Sequence, residues 1–423
     1  MKVLWFTGVM PVEFSRALNQ EQSVIQGWVP SLVEAIRCYA PNIKLTVACE
    51  GGCEAKASVN GVDYIALGHS NKKGRKSFAN KVQKCVLEVN PDLIHLHGSE
   101  NIYPSLPEET WCEKPVAMSL QGIINGIYPQ AMGGLIPSEV APFIGVVRKL
   151  GLGGSIYDHA EYWRSSIAPY ERVAFRNVKY VFGRTEWDRA WTKYLNSNSH
   201  YAVVGELMRD PFYSGKRDAH FIKRHSIYCS AALGSPLKGG HWLIRAVASL
   251  KQKYPDVQLR VAGGSGCDKP RSLYGRLRQP QYGRYIWNLI EQLGVKENVV
   301  LLPNLKPNDV LSELRQAEVF CLPSLAENSS NSLGEAMLLG VPSVVTDVGG
   351  NSSLLRNGEE GLVVPSCDPA VLADAIDRLF SNPVYAQRLG HQGYESAIKR
   401  YDKATVVKQL CNAYSLMLCN DAS

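Results

Sequence analysis

The stretch from Leu322 to Gly350, LPSLAENSSNSLGEAMLLGVPSVVTDVGG, constrains the fold of this chain more than any other. A short apolar run from Ala317 to Leu322 ends at Pro323. In the polar loop that follows, Ser330, Asn331 and Ser332 are residue types that cap helix N-termini. The spacing predicts a helix over Ser332–Leu339, ended by Gly340 and kept from restarting by Pro342, then a buried strand over Ser343–Thr346. Strand, loop, helix, turn and strand in that order make a parallel βαβ unit, because parallel strands need a crossover connection.

In such a unit ligands sit beyond the carboxyl ends of the strands, where the helix points its free N–H groups and positive dipole end at the loop. Two carboxylates fall there, Glu327 in the loop and Glu335 in the expected first turn. The plain account of Glu335 is an acid favoured by the helix dipole. A loop carboxylate beside a ready-made anion site suggests more. For a nucleoside diphosphate sugar the parts divide as follows: amides around Ser332 and Leu333 for phosphate, one glutamate for the ribose diol and one for sugar hydroxyls.

The run E-N-S-S-N-S-L-G-E-A-M-L-L-G-V-P-S-V-V-T-D-V-G-G resembles the Glu-x7-Glu signature of the family 4 retaining glycosyltransferases, trailing G-x-P and D-x-G-G included. The resemblance implies an α/β GT-B fold: two Rossmann-like, doubly wound parallel-sheet domains with an interdomain cleft, donor on the C-terminal domain and acceptor on the N-terminal one. A length of 423 residues suits two domains of about 200 each. The expected division is 1–210 and 211–403, with a C-terminal helix over 404–423 crossing back to the first domain.

Forty-six basic against 39 acidic residues give +7, which suits an anionic ligand or a membrane surface but carries no clustered motif for nucleic acid. Eleven cysteines are scattered without a C-x-x-C pair, as free thiols in a reducing compartment would be, and Cys49–Cys53 has no partner pair at zinc spacing. No long apolar segment argues for export or membrane spanning, so the expected location is cytoplasmic. A basic amphipathic helix (Lys72, Lys73, Arg75, Lys76, Lys81, Lys84, with Phe78, Val82, Cys85 and Val89 on one face) leaves peripheral contact with the inner membrane face open.

Strand runs recur at Val3–Phe6, Leu45–Ala48, Leu93–His97, Val116–Leu120, Tyr180–Phe182 and Tyr201–Val204, an alternation that predicts a parallel sheet. The turn after the first run, through Gly8, is not G-x-G-x-x-G, so a dinucleotide fingerprint is missing where a dehydrogenase most needs it. The run from Gly27 to Ile36 has helical spacing after Pro30, with Leu32, Ala35, Ile36 and Tyr39 on one face. The family resemblance assigns a donor approach to a glycine in this region, and Gly8 is the candidate. His95 and His97 alternate on a strand and are read as structural. K-P-V-A-M-S-L-Q-G-I (Lys114–Ile123) is similar to a family phrase with histidine near the reaction centre. Here Gln121 stands there, able to hydrogen-bond but not to exchange protons. Tyr128, Phe143, Tyr157, His159, Tyr162, Trp163, Tyr170 and Phe175 fill an irregular stretch, as core or as an acceptor surface.

The second set of strands runs Ser226–Ser230, Val257–Ala262, Val299–Leu302, Val319–Leu322, Ser343–Thr346 and Gly361–Val364. Between the first two, L-K-G-G-H-W-L-I-R-A-V-A-S-L resembles the family's K-G turn, which implies that Lys238 meets the diphosphate. The arginine that relatives carry about six residues earlier is replaced by Ala231-Ala232-Leu233, leaving Arg184 or Arg209 as candidate substitutes. Val261–Gly266 is a glycine-rich turn with Gly264 at its centre.

Together the resemblance implies a metal-independent glycosyltransferase retaining anomeric configuration, without cofactor. It would move a sugar from a UDP- or GDP-sugar to a glycan or lipid-linked acceptor, with bacterial surface polysaccharide as the setting. Glu327 and Gln121 are the candidate catalytic residues; Gly8, Lys238, Asn331, Ser332, Leu333 and Glu335 are the candidate donor ligands. A nucleotide-sugar epimerase of the same shape and a catalytically silent binding protein are the rival readings.

Overall fold

The computed structural model describes residues 1–20, 28–69, 74–144, 155–215, 217–230, 233–263 and 279–421. Gly27, Lys72, Lys73, Ala231, Ala232 and Gly264, all named above, lie outside them. The chain divides into two compact units: Met1–Asn125 with Ser166–Arg209 and Arg400–Ser423, and Gly126–Ser165 with Asp210–Lys399.

The first unit holds β1 (Lys2–Thr7), β2 (Lys44–Cys49), β3 (Glu54–Val59), β4 (Val62–Leu67), β5 (Leu93–His97), β6 (Val116–Ser119), β7 (Tyr180–Gly183) and β8 (His200–Val203). They pair in the order β3-β4-β2-β1-β5-β6-β7-β8. Successive side chains of β1 serve opposite faces, as strand geometry requires. Val3 and Trp5 join Val47, Tyr64 and Tyr414 on one side; Leu4 and Phe6 join Ile94, Met118 and Phe175 on the other. The expectation of a purely parallel sheet fails at one edge, where β3 and β4 are antiparallel. Their turn is Asn60-Gly61, both at positive φ (52° and 79°), the signature of a two-residue hairpin. The helix Trp28–Tyr39 buries Leu32, Ala35 and Ile36 as its spacing predicts, but Tyr39, its last residue, is 55% exposed.

The helix Arg75–Val89 buries Phe78, Val82 and Cys85. Part of its basic side is engaged: the Arg75 guanidinium lies 4.4 Å from the centre of the Tyr170 ring, and Lys81 pairs with Glu54 at 2.5 Å. No described helix is long and apolar enough to cross a membrane. The C-terminal helix Lys403–Asp421 packs Val406, Val407, Leu410, Tyr414 and Met417 into the first unit's core. His95 is structural: its Nδ1 meets Tyr414 Oη and its Nε2 meets Ser119 Oγ, both at 2.7 Å, and burial lowers it to about 3. His97 is equally buried but neither ring nitrogen has a hydrogen-bond partner among the described residues; its ring packs against Trp5, Trp28 and His95.

The second unit holds β9 (Ser226–Ser230), β10 (Gln258–Ala262), β11 (Val299–Leu301), β12 (Val319–Leu322), β13 (Ser343–Thr346) and β14 (Leu362–Val364), in the order β11-β10-β9-β12-β13-β14, every pair parallel. Ile227, Cys229, Leu259, Val261, Val319 and Val344 form one core with the helices Gly240–Leu250, Gln281–Gln292 and Pro369–Ser381.

A division at residue 210 does not describe Gly126–Ser165, which packs within the second unit. The cause is a set of long-range bonds invisible to local pattern. Gly133 O accepts from His241 Nε2 (2.9 Å) and Trp242 Nε1 (3.0 Å), and Gln281 Nε2 donates to Val140 O (2.8 Å). Leu135 and Val140 enter the core, and Phe143 sets its ring edge against Tyr285.

Candidate functional site

The second sheet changes direction between β9 and β12, since β10 and β11 extend it one way and β13 and β14 the other. Beyond the carboxyl ends of the strands at such a switch point, an open α/β sheet leaves its binding crevice. The loop after β9 reaches a short 3-10 turn, Pro236–Lys238, ahead of the helix Gly240–Leu250. The loop after β12 leads into the helix Asn331–Leu338.

Two glycines let these loops meet. Gly239 (φ +69°) lies so close to the second loop that a Cβ would stand 1.8 Å from Pro323 O, and a Cβ on Gly349 (φ +54°) would stand 1.7 Å from Glu327 O. Leu325 N donates to Leu237 O (2.8 Å) and Gly350 N to Glu327 O (3.0 Å), so the loop is tied on both sides. Held this way, Glu327 Oε1 accepts from Lys238 Nζ at 2.6 Å and from Ser324 Oγ at 2.7 Å, with the glutamate side chain 11% exposed. The sequence separates their tasks, phosphate for Lys238 and sugar for Glu327; the structure makes them one ion pair. Ser324 is a partner that the sequence did not single out.

The helix starts at Asn331 rather than Ser332, with Ser330 as N-cap. Glu335 therefore leaves the first turn, and the dipole account of it fails. It is a carboxylate only 2% exposed, one turn into the helix. The cap is long, Ser330 Oγ accepting from Leu333 N at 3.4 Å, and Ser330 and Ser332 hydroxyls meet at 3.0 Å. Asn331 Oδ1 is buried with no hydrogen-bond partner among the described residues, an open acceptor beside the helix start. An apolar wall of Leu237, Leu325 and Ala326 backs the ion pair, and Ile127, Trp163, Trp242 and Cys367 pack against it. Two of these, Ile127 and Trp163, come from the Gly126–Ser165 segment.

The other candidates lie in the first unit. Gly8 follows β1, and a Cβ there would fall 2.4 Å from Asn101 Oδ1. Gln121 follows β6 and belongs to a buried polar group: its amide donates to Glu206 Oε1 (3.1 Å) and accepts from Arg184 Nη2 (3.0 Å). Arg184 pairs with Glu206 and donates to Leu120 O, its side chain 8% exposed. Burial pushes the Glu206 carboxyl up, while Arg184 and Gln121 work against that shift. Arg184 is thus engaged inside the first unit by Glu206 and the Leu120 carbonyl. Arg209 is half-buried at that unit's edge in sequence. Glu206 was not foreseen; a lone glutamate after a strand carries no motif.

Residues 216–396 match the model of the glycosyl transferases group 1. Over 184 residues the chain is 32% identical to D-inositol 3-phosphate glycosyltransferase of Corynebacterium urealyticum, covering 42% of this chain and 40% of the relative. Over 232 residues it is 30% identical to phosphatidyl-myo-inositol mannosyltransferase of Mycobacterium tuberculosis, covering 53% and 56%. The chain thus spans less than two thirds of the curated relatives it matches. Among solved structures it is similar to sucrose-phosphate synthase from Thermosynechococcus elongatus (TM-score 0.70, 15% identity, 99% of both chains). It is also similar to HepE from Anabaena in complex with UDP (TM-score 0.67, 16% identity, 98% and 100%).

Proposed function

From a chain that has the GT-B fold and carries a group 1 glycosyltransferase domain, we propose a sugar transfer: a nucleotide-diphosphate sugar donor, UDP- or GDP-linked, and a hydroxyl of a glycan or lipid-linked acceptor. The observation that carries this reading is the Lys238–Glu327 pair set at the switch point of the second sheet, beside the N-terminus of the helix Asn331–Leu338.

Breaking the anomeric bond leaves negative charge on the diphosphate, and fixed positive charge placed there lowers the barrier. Lys238 is that charge, supported by the amides of Ser332 and Leu333 at the helix start. The long cap from Ser330 leaves the Leu333 amide weakly used before a phosphate arrives. Glu327, braced by Ser324 and Lys238, accepts from hydroxyls of the transferred sugar; Glu335 and the open Asn331 acceptor take the nucleoside and its ribose. The family resemblance supports retention at the anomeric carbon and a route without metal. Acceptor recognition falls to the first unit, with Gln121 among its residues. The names of the curated relatives, one carrying D-inositol 3-phosphate and the other phosphatidyl-myo-inositol, support a polyhydroxyl acceptor class, free or lipid-borne.

The test is incubation with radiolabelled UDP- and GDP-sugars, with and without membrane lipid extract. Label moved to lipid or glycan supports transfer. An altered free nucleotide sugar would mean an epimerase, and neither outcome would mean a binding protein; both contradict the proposal.

A further inference from the structure

The first sheet also changes direction, between β1 and β5. The loops beyond those two strands carry Gly8 and the turn Gly98–Asn101, in which Asn101 N donates to Gly98 O at 3.5 Å. A Cβ on Gly98, whose φ is +97°, would stand 2.6 Å from both Glu100 Oε1 and Asn101 Nδ2, and one on Gly8 would meet Asn101 as described. The two glycines therefore keep room at the strand ends for two polar side chains. Asn101 uses its amide on His97 O at 2.5 Å. Glu100 is not settled in this way: its Oε2 is buried and has no hydrogen-bond partner among the described residues.

A neighbouring carboxylate shows what a structural acid looks like here. Glu171, 1% exposed, takes bonds from Ser99 Oγ (2.7 Å), Ile124 N (2.9 Å), Asn125 N (2.7 Å) and Asn125 Nδ2 (2.7 Å). Four donors satisfy a carboxylate, whereas a buried acceptor left open is unfavourable and is found where something else fills it.

We infer that Glu100 is a hydroxyl-binding group of the first unit, its open oxygen accepting a hydrogen bond from a polyhydroxyl ligand, a sugar or cyclitol, seated where β1 and β5 part. The inference rests on the acceptor role proposed above for that unit and names the side chain that reads the acceptor. The charge of the site follows from its neighbours. Burial pushes the Glu100 carboxyl up to about 7; a hydrogen bond from its own backbone amide and the charge of Arg184, after β7, oppose the shift, and Glu171, from the helix Ala168–Asn177, adds to it. An ionised carboxylate accepts from hydroxyls more strongly than a protonated one, so binding strengthens as the pH rises through that value.

The test is a ligand-observed NMR titration of the full chain with myo-inositol, glucose and mannose at pH 6 and pH 8, with UDP and GDP titrated on the same samples. The wild type is expected to bind at least one of the three polyols, more tightly at pH 8. Glu100→Gln is expected to bind it about tenfold more weakly at pH 8 and without pH dependence, the loss of one charge-assisted hydrogen bond. Gly98→Ala, which crowds the same carboxylate, is expected to weaken it too. Unchanged nucleotide binding and thermal melting in the variants show that the fold is intact. Equal polyol binding by wild type and Glu100→Gln at both pH values, or none by the wild type, overturns the inference alone if a nucleotide binds. Failure to bind either nucleotide overturns the donor site instead.

Discussion

Lys238 Nζ and Glu327 Oε1 lie 2.6 Å apart although 89 residues separate them in the chain, one following β9 and the other β12. The pair closes the point where the second sheet reverses direction. Under the proposed function it joins the cation for a leaving diphosphate to the carboxylate for a sugar, so removing the lysine takes away a partner of Glu327 together with the proposed phosphate charge. Lys238→Ala is therefore expected to lower kcat/KM by about 10²–10³-fold, the scale of losing one preorganised electrostatic contact. Steady-state kinetics with the donor found active checks this.

The two glutamates are expected to fail differently. Glu335, buried one turn into the helix, should affect nucleotide affinity, and Glu327, beside Lys238, should affect turnover. In calorimetric titrations Glu335→Ala is expected to weaken UDP or GDP binding more than Glu327→Ala does, while Glu327→Ala shows the larger loss of kcat. Wild-type activity in both variants would remove the assignment.

Much of the fold around this candidate site is legible in the sequence, and the exceptions have physical causes. The bounds of Leu93–His97, Ser226–Ser230, Val319–Leu322 and Ser343–Thr346 agree with the sequence to the residue, because buried parallel strands are short runs dominated by apolar residues and bounded by turn residues. The hairpin of β3 and β4 was missed because β3, Glu-Ala-Lys-Ala-Ser-Val, is an edge strand with alternating half-exposed positions; Asn60-Gly61 was the signal that could have found it. The one-residue shift of the helix start, to Asn331, came from a run of three good capping residues, of which only the fold selects one. Glu100 and Glu206 carry no spacing signature at all. What marks them is a third dimension of information: an open buried oxygen in one, and a buried arginine in the other.

The Gly126–Ser165 segment gives a prediction about positioning. Gly133 sits at φ +68°, and a Cβ there would lie 2.4 Å from Pro236 O, two residues before Lys238. Gly133→Ala combines left-handed strain of about 1–2 kcal/mol with displacement of that turn. It is expected to raise the donor KM several-fold and to lower the melting temperature. Kinetics and a thermal melt, compared with Gly52→Ala, where a Cβ meets nothing within 4 Å, check it.

Acid sensitivity follows from three buried histidines, and burial pushes His97 well below its ordinary value as it does the other two. Burial lowers His95 and His241 from 6.5 to about 3 each, and both are hydrogen-bonded as neutral rings. At these rings the unfolded chain then binds more protons than the folded one between those values, so the share of stability they contribute is full above about pH 6.5 and is lost as the pH drops toward 3. The slope approaches about 1.4 kcal/mol per pH unit for each group. Denaturant midpoints from pH 7 to pH 5 are expected to fall, and less steeply in His95→Gln.

Isothermal titration of the chain with UDP and GDP, beside the Lys238→Ala variant, tests the donor site most directly. One of the two nucleotides is expected to bind the wild type and to lose at least about tenfold in affinity when the lysine is removed. Binding of neither nucleotide, or equal binding by wild type and variant, would contradict the account.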